Sequence, residues 1–128
     1  MTRRAIENAE AAVGKLAEFL REPALTERDR AGVIQAFECS FEATWKLLKH
    51  VAEREGLDAE SPRRAVIAGF KLGHIQDEGL WLRMLEDRNL TSHVYHAELA
   101  DRIFAAISGQ YAAALADTVK RAATTLTL

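Results

Sequence analysis

Chemistry-bearing side chains crowd into one stretch, Arg88-Asn89-Leu90-Thr91-Ser92-His93-Val94-Tyr95-His96. An arginine offers fixed donors for a phosphate oxygen, and a histidine can take or give a proton near neutral pH. Arg88 and His93 stand five positions apart, which on a straight helix points them about 140° away from each other. They converge only if the helix ends or bends between them. Thr91 and Ser92 are poor helix-interior residues and good junction residues, so a junction is expected there. Spacing alone does not distinguish such a site from ordinary capping at a polar turn.

Glu38 and Glu42 are four apart and share a helix face, set among Phe37, Phe41 and Trp45. They could act as an acid pair for catalysis or metal, or as an anchor for a basic group on a neighbouring helix. A half-buried carboxylate needs a partner. The anchor reading is the stronger, with Arg88 as the partner, and which of the two acids meets it is open. His50, His74, His93 and His96 form no spaced ligand set. There is no glycine-rich phosphate loop, no paired Cys or His at zinc spacing and no His-Glu-x-x-His. Neither a metal nor a cofactor is expected.

Positioning these residues falls to helices, because apolar residues recur at helical spacing almost throughout. A first helix is expected from about Arg3 to Arg21, with Ala9, Val13, Leu16, Ala17 and Leu20 inward and Pro23 beyond its end. A second runs from about Glu27 to Glu55, with Ile34, Phe37, Phe41, Trp45 and Leu48 on one face, and stops at Gly56. Ser61-Pro62 opens a third, to Leu72 and Gly73. Asp77 caps a fourth that ends near Arg88 to Leu90, with Leu80, Trp81, Met84 and Leu85 inward. The last runs from about His96 to Thr124 on Leu99, Ile103, Ile107, Tyr111 and Leu115, with a frayed tail from Ala122 to Leu128. Short connections between amphipathic helices imply an all-α, antiparallel four-helix bundle with a short additional helical segment.

The chain has 128 residues, 48% of them hydrophobic, which suits a single domain over 1–128 with a real core. A formal charge of -2 argues against a global positive field for nucleic acid, so any such role must use a local site. The one cysteine, Cys39, cannot form an intrachain disulfide and reads as a small buried hydrophobe. That cysteine count is consistent with a reducing, cytoplasmic setting, and the sequence shows no apolar run of signal-peptide or membrane-spanning type.

Arg88-x4-His93 followed by x-Tyr95 resembles the Arg-x4–6-His motif of the HEPN superfamily. Ile34 to Lys49, Leu80 to His93 and the Ser61-Pro62-Arg63 helix start narrow this to the nucleotidyltransferase substrate-binding protein family, which is HepT-like. The similarity extends over nearly the whole chain. It implies a four-helix-bundle protomer that forms a homodimer, with two motifs facing a shared cleft. It further implies a partner, an MntA-like minimal nucleotidyltransferase, in a bacterial toxin–antitoxin pair. By position, Arg88 and His93 match the catalytic pair of metal-independent HepT-like RNases. Tyr95 matches the tyrosine to which the partner adds AMP, and Asn89 the polar residue after the arginine. Glu38, Glu42 and His96 are supporting candidates. His96 departs from the family, which usually has an acidic residue there.

Metal-independent RNA cleavage needs a base for the ribose 2′-OH, an acid for the leaving oxygen and a cation for the phosphorane. One His93 cannot easily serve as both base and acid in one step, and a two-fold dimer supplies a second. The alternative is a non-catalytic subunit that presents a substrate to the nucleotidyltransferase.

Overall fold

The computed structural model describes residues 2–24, 26–93 and 96–127, with His93 and Thr127 described by backbone alone. Every regular element among these is helical: α1 (Thr2–Arg21), α2 (Glu27–Arg54), α3 (Pro62–Lys71), α4 (Glu78–Leu90), a 3₁₀ turn (Thr91–His93), α5 (Ala97–Ala106), a π-helical segment (Ile107–Tyr111) and α6 (Ala112–Thr127). Together they build the antiparallel four-helix bundle.

Local chemistry explains where the helices begin. Thr26 opens α2 with a reciprocal pair: its hydroxyl accepts from the Asp29 N–H at 3.0 Å, and the Asp29 carboxylate accepts from the Thr26 N–H at 3.0 Å. Ser61 accepts from the Arg64 N–H, with Pro62 at the first helical position. Asp77 caps α4 through the Leu80 N–H at 3.0 Å. The chain reverses after α2 at Gly56 (φ 73) and after α3 at Gly73 (φ 84), where a side chain would be strained.

Helix α2 is the axis of the bundle, packing against α1, α3, α5 and α6. Phe37 and Phe41 on α2 are fully buried, as are Trp81 and Met84 on α4 and Ile103 on α5. Each such side chain contributes on the order of 1.5–3 kcal/mol of apolar burial. Ser40 and Thr44, also fully buried, return their hydroxyl protons to helix carbonyls. Thr44 bonds to Ser40 at 2.7 Å, and Ser40 lies 2.8 Å from the Ala36 carbonyl and 2.9 Å from the Ala12 carbonyl on α1.

Several sequence expectations are corrected. Cys39 is exposed rather than buried. It lies two residues from Phe37, about 200° around the helix, on the face opposite the core. Ala17, one step from buried Leu16, is exposed as well. The tail from Ala122 does not fray at that residue: α6 continues to Thr127, and fully buried Ala122 packs with Ala9 of α1 and with Leu47 and Val51 of α2.

The last helix is also not uniform. Ile103, Ile107, Tyr111 and Leu115 are all buried although each is four residues from the next. On an α-helix that spacing drifts by about 40° per step, or about 120° over three steps. The π-helical turn absorbs roughly one residue of that drift and keeps all four on the core face. Among the described residues no helix is long and apolar enough to cross a membrane.

Candidate functional site

Arg88 lies in the last turn of α4 and turns toward α2. Its Nη2 is 3.7 Å from Glu42 Oε2, close enough for charge attraction and too long for a hydrogen bond. The same Glu42 oxygen accepts from Trp45 Nε1 at 3.0 Å, and its other oxygen faces Lys46 Nζ at 3.4 Å. Glu42 is thus the acid that meets Arg88. Glu38, one turn earlier, takes a different partner: the Thr91 hydroxyl lies 2.7 Å from its Oε2 and 2.6 Å from the Arg88 carbonyl. A carboxylate oxygen is the stronger acceptor for that single proton. Two acids at helical spacing therefore grip both sides of one junction, Arg88 before it and Thr91 after it.

At Thr91 the α-helix tightens into the 3₁₀ turn Thr91–His93. Ser92 bonds back to the Asn89 carbonyl at 3.3 Å, and Asn89 itself is exposed. The side chain of His93, and Tyr95 entirely, lie outside the described residues, so the expected convergence of Arg88 with His93 falls there too. His96 is exposed at the N-cap position of α5, where its side chain makes no capping bond.

Arg88, Glu42 and Glu38 stand at one side of a groove of about 660 Å³ between α1 and α2. Arg4, Lys46 and His50 line it with Arg88, and Asn8 and Gln35 add amides. Three cations, Arg4, Lys46 and Arg88, thus share one groove with the carboxylates of Glu38 and Glu42, and exposed Cys39 is on its wall. A second hollow, of about 340 Å³, lies on the far side of the Glu38–Thr91 contact, between α2 and α5, and includes Arg30 and Asp101. Arg30 Nε pairs with Asp101 at 3.0 Å across it. Among the described residues no three His, Cys, Asp or Glu side chains gather as a metal-binding group.

Sequence reasoning missed one cluster. Asp87, beside Arg88, is buried and accepts from Tyr111 Oη at 2.6 Å and from Arg102 at 2.8 and 3.3 Å. Burial and the Asp87 carboxylate push the Tyr111 hydroxyl well above its usual range, so it remains a donor. The available signal was an acid continuing the inward stripe of Trp81 and Met84 at a further step of three.

These features define a class: an all-helical bundle with a charged groove that meets a polar helix junction. The chain belongs to the family described as nucleotidyltransferase substrate binding protein like, whose model matches residues 4–124. It is similar to a protein of Thermus thermophilus of known crystal structure, with 34% identity and a TM-score of 0.81 over 89% of this chain and 98% of that one. A Haemophilus influenzae protein, described as revealing the fold of a substrate binding domain of a nucleotidyltransferase, shares the fold. Its TM-score is 0.68 at 22% identity, over 95% of this chain and 96% of that one. The chain is also 28% identical over 82 residues to a probable ribonuclease HepT of Haemophilus influenzae, a match covering 60% of this chain and 56% of that relative.

Proposed function

We propose that this protein is the HEPN component of a toxin–antitoxin pair, a metal-independent RNase held in check by a minimal nucleotidyltransferase. The observation that carries the reading is the double grip on the Arg-x4-His junction. Glu42 faces Arg88, and Glu38 takes the Thr91 hydroxyl where α4 tightens. Similarity to a probable ribonuclease HepT supports it. In this reading Arg88 donates to a non-bridging phosphate oxygen as negative charge builds on the phosphorane. Two His93 side chains, one from each protomer of a homodimer, divide the base and acid roles. The partner adds AMP to Tyr95, and the bulk and negative charge of the adenylate close the cleft to RNA.

Expression without the partner tests it. Toxicity is expected with the native chain and absent with His93→Ala. The purified protein should cut RNA in the presence of a chelator, with a loss of at least a hundredfold in His93→Ala. Neither toxicity nor cleavage by the purified native protein would sink the RNase reading. After co-expression with the nucleotidyltransferase, intact-mass measurement should find one added AMP, lost in Tyr95→Phe.

The groove favours a second reading, a non-catalytic subunit that binds a substrate for the nucleotidyltransferase. Its volume, cations and amides are those of a binding site, and the family description names that role. Under this reading the purified chain leaves RNA intact, yet nucleotidyl transfer to the substrate depends on its presence.

A further inference from the structure

Asp87 and Arg88 are neighbours on α4, yet they serve different faces of it. One residue turns a helix by about 100°. Arg88 reaches toward α2, while Asp87 enters the interior, 5% exposed. A carboxylate so far from water persists when its oxygens are filled by donors. Oδ2 of Asp87 accepts the Tyr111 hydroxyl at 2.6 Å and Arg102 Nη1 at 3.3 Å, and Oδ1 accepts Arg102 Nη2 at 2.8 Å. Charge and two parallel N–H bonds make the arginine contact directional.

The donors come from beyond the junction. Arg102 belongs to α5 and Tyr111 to the π-helical segment. A single carboxylate therefore ties the last turn of α4 to the helix that resumes after the motif. The far side of Tyr111 is fixed as well, because its ring stacks on Phe37 of α2 at 5.7 Å, and Phe37 precedes Glu38. The inserted π turn keeps Tyr111 on the inward face, where its hydroxyl reaches Asp87.

Taking the RNase reading as its basis, we infer that Asp87 is a positioning residue: clamped by Arg102 and Tyr111, it fixes the end of α4, and with it Arg88, relative to the start of α5. Arg88 touches the phosphate in that reading, and Asp87 acts only through the backbone it anchors. The clamp differs from a general stabilising pair in where its loss is felt. Breaking it should loosen the junction and leave the α1–α2 pair intact.

Tyr111→Phe keeps the ring on Phe37 and removes one donor. Arg102→Met keeps most of the stem and removes two, and Arg102→Lys restores the charge without the fork. Amide exchange read by mass spectrometry is expected to rise at least tenfold in Tyr111→Phe and Arg102→Met for peptides covering the end of α4 and the start of α5. Peptides from α1 should change less than twofold. Arg102→Lys should recover a substantial part of the protection lost in Arg102→Met. In RNA cleavage, kcat should fall at least tenfold with KM within twofold. Exchange that rises equally in α1, exchange unchanged at the junction, lysine no better than methionine, or a kcat that survives a loosened junction would each overturn the clamp as a positioning device. If the native chain cuts no RNA, the RNase reading and the positioning role fail together, while the exchange pattern alone still decides whether the clamp holds the junction.

Discussion

Glu42 stands among an indole N–H, a lysine and the motif arginine. How much that matters depends on exposure. Arg88 and Glu42 side chains are 33% and 41% exposed, and ion pairs in such settings contribute about 0–1 kcal/mol. Stability is therefore a poor explanation for Glu42, and its charge toward a ligand is a better one. Glu42→Gln should shift the thermal midpoint by only a few degrees. Removing a negative charge about 7 Å from a bound phosphate lowers repulsion by roughly 0.6 kcal/mol in water-like surroundings, or about threefold in affinity. A short RNA titrated at low salt should bind about threefold tighter to Glu42→Gln, while cleavage slows as Arg88 loses its facing charge. Unchanged affinity and unchanged rate would mean that Glu42 does not act on the motif. At this scale much was legible, because spacing put Glu38 and Glu42 on one face and nominated Arg88 as a partner. The inward place of Asp87 was open to reading from its step of three after Trp81 and Met84, but its partners were not, because they lie 15 and 24 positions away, beyond the reach of a local pattern.

The elements were legible wherever one periodicity ruled. Ser61-Pro62, Asp77 and the glycines at 56 and 73 punctuate helices by their own chemistry, and the observed ends follow them. The π-helical segment shows where a pattern was visible and misread. Ile103, Ile107, Tyr111 and Leu115 recur every four residues, which a short α-helix tolerates and a long one does not. The insertion makes its own prediction. Ser108, Gly109 and Gln110 are exposed, so the extra residue sits on the outer side of the turn. Deleting Gly109 changes the buried spacing from four, four, four to four, three, four, which a regular α-helix keeps on one face. The variant should fold with unchanged helix content and lose less than about 2 kcal/mol in a urea titration, within the range of ordinary single changes. Deleting Ala43 from α2 should unfold the chain, because Phe37 and Phe41 would then lie out of phase with Leu47 and Leu48. Equal damage from both deletions would show that the π turn is not a local insertion.

For the whole molecule, the corner after α3 is where α6 closes the bundle. The Thr118 hydroxyl on α6 donates to the His74 carbonyl at 2.9 Å, and both residues are buried. This contact could not be read from the sequence, since it depends on which helix lies over which face, whereas the exposure of Cys39 follows from its place on α2 about 200° from Phe37. His74 carries a consequence for the folded state as a unit. Burial foremost, and then the nearby Arg121 charge, lower its pKa from the ordinary 6.5. Arg121 itself is paired with Asp117 one turn earlier on α6. The folded chain thus resists a proton that the unfolded chain accepts. With more protons on the unfolded side, stability rises with pH. The His74 contribution is therefore complete above about pH 6.5 and is lost as pH falls from there toward the lowered folded value. Thermal midpoints measured from pH 7.5 down to 5 should fall for the native chain and fall less steeply for His74→Gln, which cannot titrate. The difference between the two curves isolates this histidine from every group the two proteins share. Parallel curves would mean that His74 takes up its proton as readily in the folded chain as in the unfolded one, and that the α3–α6 corner places no restraint on it.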